Sequence, residues 1–143
     1  MKLPAKIDYA YKAIIELAIR YKADTPIQLS VISEAQDIPE KFLIQLLLRL
    51  KSANITNSSR GMSGGYYLTR PPSQISLADV VRAIDDSIIE APKEAKCPKV
   101  SDADKLISRI WGDIAKDTIK RLEEMTFDKL ISKIGNHQLT YQI

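Results

Sequence analysis

Glycine, arginine and hydroxyl side chains are concentrated in one stretch of this chain, Arg60-Gly61-Met62-Ser63-Gly64-Gly65-Tyr66-Tyr67-Leu68-Thr69-Arg70-Pro71-Pro72, where three of the five glycines fall within five residues. Glycine admits positive φ and lets a backbone approach a partner closely. A Gly-rich turn between the extended runs Ile55-Thr56-Asn57-Ser58 and Tyr66-Tyr67-Leu68 predicts a β-hairpin. Arg60 and Arg70 at its ends put cations where phosphate could be met. Arg60 is the better placed for a minor groove or a phosphate. Arg70 precedes a double proline that can turn it back along the domain. Ser58, Ser59 and Ser63 can donate to phosphates, and Gly64 and Gly65 let the tip come close. Thr56 and Asn57 read as structural.

The elements that position this hairpin follow from apolar spacing. Ile7, Ala10, Ile14, Leu17, Ala18 and Tyr21 predict a helix over 7–21, broken by Ala23-Asp24-Thr25-Pro26. A short helix over 29–36, a tight turn at Asp37-Ile38 and a longer helix over 39–52 have helix-turn-helix spacing. Phe42, Leu43, Leu46, Leu47 and Leu50 are the expected buried stripe of the longer helix. Its outward positions are Glu40, Lys41, Ile44, Gln45, Leu48 and Lys51. Gln45 can pair with adenine, Lys41 can reach guanine or a phosphate, and Ile44 can touch a thymine methyl. The pattern therefore predicts a mainly α fold with a small β-wing, a winged helix-turn-helix that binds double-stranded DNA.

Further along, Ser76-Leu77-Ala78-Asp79 predicts a capping box opening a helix over 77–85. Residues 87–101, with Pro92, Pro98 and mixed charge, predict an exposed loop. A helix over 102–125 carries Ile107, Trp111, Ile114, Thr118, Leu122 and Met125 at steps of three and four, widened by Leu106, Ile110 and Ile119. Such a helix spans about 36 Å and needs a partner to cover its stripe. Ile107, Trp111, Ile114, Leu122 and Met125 are thus expected at a dimer interface. A short helix over 127–133 ended by Gly135, then a tail with strand-like composition, complete the reading. It divides the chain into a DNA-binding unit at 1–86, an exposed loop at 87–101 and a dimerisation helix with tail at 102–143.

Composition narrows the function classes. Net charge is only +3, but residues 1–70 hold ten basic and six acidic residues, so the surplus sits on the half with the hairpin. There is no apolar run near 18 residues and no signal-peptide pattern at the start, and the one cysteine, Cys97, cannot form an internal disulfide. A cytoplasmic protein is expected. One histidine, His137, and one cysteine make no metal constellation, and no catalytic set or P-loop is present. Cys97 lies between Lys96 and Lys99 beside Pro98, where a lowered pKa and redox reactivity are as well supported as a plain exposed thiol.

The chain resembles the IscR/NsrR/CymR-type (Rrf-two) family of bacterial winged helix-turn-helix transcription regulators. The resemblance rests on Met1-Lys2-Leu3 before a Tyr/Ala-rich helix and on Phe42-Leu43-x-Gln45-Leu46. It also rests on the Arg60-to-Pro72 wing, on Ile75-Ser76-Leu77-x-Asp79-Val80-Val81-x-Ala83 and on Trp111. It implies a homodimer with crossing long helices that reads a palindromic operator, and the expected role is that of a repressor. Iron–sulfur members carry three cysteines before the long helix, and some use an acidic residue near the start, which Asp8 would match here. This chain has Cys97 alone, and Ile44 stands where glutamate is frequent. No cofactor is expected. The rivals are a [2Fe–2S] sensor using Cys97 with non-cysteine ligands and a winged-helix adaptor that binds protein.

Overall fold

The structure, a computed structural model, describes residues 1–22, 25–90 and 101–141, with side chains as far as residue 135. Among the described residues, six α-helices and one two-stranded sheet form in the order α1 (Ala5–Ile19), α2 (Leu29–Gln36), α3 (Glu40–Ser52), β1 (Thr56–Ser59), β2 (Gly65–Leu68), α4 (Leu77–Asp85), α5 (Asp102–Glu124) and α6 (Phe127–Tyr141). This is the expected mainly helical class with a small wing.

α1 starts directly after Pro4, whose extended backbone precedes the first turn. Ile7, Ala10, Ile14, Leu17 and Ala18 are buried as the spacing predicts. Tyr21 is not part of that face. The helix ends at Ile19 with Arg20 as its cap, so Tyr21 leaves the helical register and lies at the surface. The buried Glu16 carboxylate joins α1 to α2, accepting from Arg20 Nε at 2.6 Å and from Gln36 Nε2 at 2.7 Å. Asp37 takes a left-handed conformation, φ 51° and ψ 52°, between α2 and α3. Ile38 then inserts into the core, and its carbonyl accepts from Ser33 Oγ at 2.6 Å. Those contacts set the angle between the two helices.

The wing pairs Thr56 with Leu68 and Ser59 with Gly65 in antiparallel register; β1 lies one residue later than the expected run, and β2 starts one residue earlier and ends at Leu68 as expected. Ile27 adds a single-residue third strand, exchanging two 2.8 Å hydrogen bonds with Tyr66. Arg70 is turned back along the domain: Nε donates to the Gln74 carbonyl at 2.9 Å, one Nη donates to the Asn54 carbonyl at 3.1 Å, and Asp79 lies at 3.5 Å. The Ser76/Asp79 capping box opens α4. A second capping box, Ser101 with Asp104, opens α5 and holds the Asp104 carboxyl below the usual carboxylate range.

α6 departs from the sequence expectation. The helix does not stop at Gly135 but continues to Tyr141. Phe127 is fully buried in the main core, with its ring 6.2 Å from that of Tyr11. Leu130, Ile131 and Ile134 continue the same face. That face carries the helix through one glycine, whose cost in a helix interior is only about 1 kcal/mol. The Tyr11 hydroxyl is pushed up to about 12 by burial at this contact. The chain leaving α5 is pinned by Leu77 N–H donating to the Met125 carbonyl at 2.9 Å and Phe127 N–H to the Ile75 carbonyl at 3.0 Å. The long helix is therefore anchored at its C-terminal end to the helix-turn-helix body.

Candidate nucleic-acid interface

α3 separates its two faces sharply. Leu43, Leu46, Leu47 and Leu50 are buried, while Lys41, Ile44, Gln45, Leu48 and Lys51 are exposed. The structure thus brings the predicted Lys41, Ile44 and Gln45 onto one open surface. Phe42 is a correction: it is 53% exposed and outside the buried stripe. At about 100° per residue it falls roughly 40° beyond Leu46, the edge of the buried arc. There it borders a groove of about 490 Å³ lined by Ala5, Lys6, Tyr9, Gln45 and Arg49 among others. Arg49 donates from one Nη to the Ile84 carbonyl at 2.7 Å, fixing α3 to the last turn of α4. Sequence reading assigned Arg49 no role, because its partner lies 35 residues away.

The wing is joined to α3 by Lys51 Nζ, which donates to Ser58 Oγ at 3.0 Å. The Ser58 hydroxyl hydrogen is left available for another acceptor. Thr56 is buried, with its hydroxyl directed at the Leu47 carbonyl at 3.4 Å, a structural role as expected. Ser59, Arg60, Gly61, Met62 and Ser63 form an exposed tip. No ion pair among the described residues holds Arg60. Met62, 99% exposed at the apex, carried no signal in the sequence beyond its neighbours.

The paired glycines have a local cause. A Cβ on Gly64 would lie 2.4 Å from the Ser59 carbonyl oxygen. A Cβ on Gly65, at φ +155°, would lie 2.4 Å from that of Ile27. Gly64 N–H is already spent on the Gly61 carbonyl at 3.0 Å. These two residues shape the tip and let Ile27 pair. Between the tip and the start of α2, Ser59, Ser63 and Gly64 line a groove of about 540 Å³ with Thr25, Pro26 and Gln28.

The predicted interface residues of α5 divide into two groups. Ile107, Trp111 and Ile114 are 64%, 61% and 48% exposed, with Leu106 and Ile110 beside them. Leu122 is half-buried, and Met125 is half-buried as the cap residue beyond the helix. Near this end Arg82 of α4 pairs with Glu123 at 2.7 Å. Asp8 pairs with Lys12 on the surface of α1. Cys97 and the rest of residues 91–100 of the predicted loop, together with the His137 side chain, lie outside the described residues.

A match to the Rrf2 family, described as an iron-dependent transcriptional regulator, spans residues 3–133. The chain belongs to this family. It is 30% identical over 132 residues to the HTH-type transcriptional regulator IscR of Escherichia coli, covering 92% of this chain and 81% of that protein. Among solved structures, T. potens IscR matches with a TM-score of 0.78 at 25% identity, covering 96% of this chain and 91% of the other. CymR, the global cysteine regulator of B. subtilis, matches with a TM-score of 0.77 at 28% identity, covering 93% and 98%. This Rrf2 protein is a DNA-binding transcriptional regulator of the helix-turn-helix type and not an enzyme. No helix among the described residues is long and apolar enough to cross a membrane.

The iron in the family's description calls for a test of donors. Among the described residues no three His, Cys, Asp or Glu stand together as a ligand set. The whole chain has one cysteine and one histidine. These residues do not fit a cluster held by three cysteines of one subunit.

Proposed function

We propose that this Rrf2 regulator is a cytoplasmic homodimer that reads a palindromic operator and represses by occupying it. The observation that carries the dimer is α5: none of its 23 residues is buried. Leu106, Ile107, Ile110, Trp111 and Ile114 present a broad apolar surface that a second copy of the helix would cover. Residues 1–86 act as the reading head. Lys41, Ile44 and Gln45 enter the major groove, while Ser58, Ser59, Arg60 and Ser63, shaped by Gly64 and Gly65, meet the backbone and minor groove. The loop 87–101 carries the regulatory signal, and residues 102–124 dimerise.

We assign no resident cofactor, because the donor set is too small for a cysteine-held cluster. Cys97 is the residue through which an oxidant would act. A twofold head arrangement places half-sites whole helical turns apart, about 10–10.5 base pairs or a multiple. Mapping of protected DNA with the purified protein tests this reading. Two equal protected half-sites at such spacing are expected, and a single protected half-site would overturn the dimeric reading.

A further inference from the structure

The outer face of α3 is not the polar surface that solvent alone would select. At about 100° per residue, Leu48, Lys41, Gln45 and Ser52 cluster around the pole opposite the buried leucines, and Ile44 lies on the side toward the wing. Leu48 is 59% exposed and Ile44 42% exposed. Single exposed aliphatics are ordinary on protein surfaces. These two differ because they are framed. Lys41 and Gln45 stand beside them, and Lys51 joins the same row to Ser58 of the wing. Two lysines flank this narrow apolar strip, with Glu40 the one acid on the face, at its N-terminal end; a net cationic border around an apolar strip complements a polyanion that carries small apolar groups. The major groove offers one such group, the C5-methyl of thymine. Positions i and i+4 of a helix are separated by about 6 Å along its axis. That is close to two base-pair steps of about 3.4 Å each.

We infer that Ile44 and Leu48 read the methyl groups of two thymines, no more than two base-pair steps apart, in each operator half-site. The inference rests on α3 entering the major groove, and it adds Leu48 as a specificity-determining residue. Gln45 then reads a purine edge beside the methyl pair, and Lys41 anchors the strand.

The test replaces thymine by uracil, which removes the methyl and leaves every hydrogen-bonding group in place. An operator is first selected from a random duplex pool with the full-length protein. Each thymine of one half-site is then changed singly to deoxyuridine, and affinity is read by fluorescence anisotropy. Two positions are expected to weaken binding roughly fourfold each, the effect of one methyl-sized group left uncovered. Leu48→Ala should abolish the uracil effect at one of them and Ile44→Ala at the other. Uracil tolerated everywhere, with tight operator binding intact, would overturn the methyl readout and leave the DNA-binding head standing. Failure to select any operator would overturn the reading of α3 itself, and this inference with it.

Discussion

Helices α3 and α5 both carry aliphatic side chains out to solvent, yet the two surfaces differ in width, framing and backing. α3 is anchored by four buried leucines, and its exposed Ile44 and Leu48 form a thin strip between lysines. α5 has no buried residue at all, and Leu106, Ile107, Ile110, Trp111 and Ile114 spread over an arc of about 140°. Its Asp102, Asp104, Lys105 and Arg109 mix both signs of charge. A thin strip in a cationic frame suits nucleic acid, whereas a broad arc with balanced charge suits another apolar protein face. Exposure alone would have placed the two helices in one class. Width and surrounding charge separate them.

The largest effect should come from breaking the α5 side. Ile114→Glu would bury an unpaired carboxylate at the middle of the proposed dimer contact, a penalty of at least several kcal/mol. Sedimentation at micromolar concentration should show the parent as a dimer and the variant as a monomer. Operator affinity and palindrome preference should fall together. A variant that stays dimeric would place the interface elsewhere.

Next is the support beneath the reading face. Gly65→Ala would drive a methyl to 2.4 Å from the Ile27 carbonyl oxygen. It should lower stability by about 1–3 kcal/mol, as overpacking does, and thermal unfolding checks it. An unchanged unfolding midpoint with lost DNA affinity would mean that Gly65 serves the DNA and not the fold.

On the α3 side itself, Gln45→Ala should cost about 1–3 kcal/mol on the selected operator and little on scrambled DNA. Arg60→Ala should weaken both alike, since phosphate and groove-shape contacts are shared by all sequences. Competition titrations with the two DNAs distinguish these patterns. A Gln45→Ala protein matching the parent on both would remove Gln45 from the reading face.

The smallest effect lies outside both helices. Lys6, and then Ser87, bond the Asp85 carboxylate and hold it below the usual carboxylate range. A group with a lowered folded pKa contributes stability above its unfolded value, about 3.9, and loses it as pH falls through the folded value. The parent should therefore exceed Asp85→Asn slightly in unfolding midpoint at pH 7, and the two should converge under acid. A gap that persists at the acid end would assign the difference to packing.

The sequence was readable where one element's own residues decide the outcome. α2 and α4 begin and end where apolar spacing and the Ser76/Asp79 box put them. Apart from Phe42, the buried and exposed faces of α3 followed from the same periodicity. Long-range fits were not readable. The fate of Phe42 depends on how far α1 reaches over α3, and the extension of α6 depends on Phe127 entering the core of a distant helix pair. A single-residue bridge such as Ile27 to Tyr66 has no period to detect, so the reason for Gly65 was hidden. The double proline after Arg70 already pointed this side chain back along the domain, and the tertiary contacts supply its partners, Gln74, Asn54 and Asp79.

The account turns on the charged framing of α3 and the wing, and salt measures that most directly. Six to ten phosphates contacted per dimer would reduce affinity by about 10³–10⁵ between 50 and 200 mM salt. Titration of the selected operator across that range should give a steep linear fall of log affinity with log salt. A flat line would contradict the DNA-reading face and favour a protein partner.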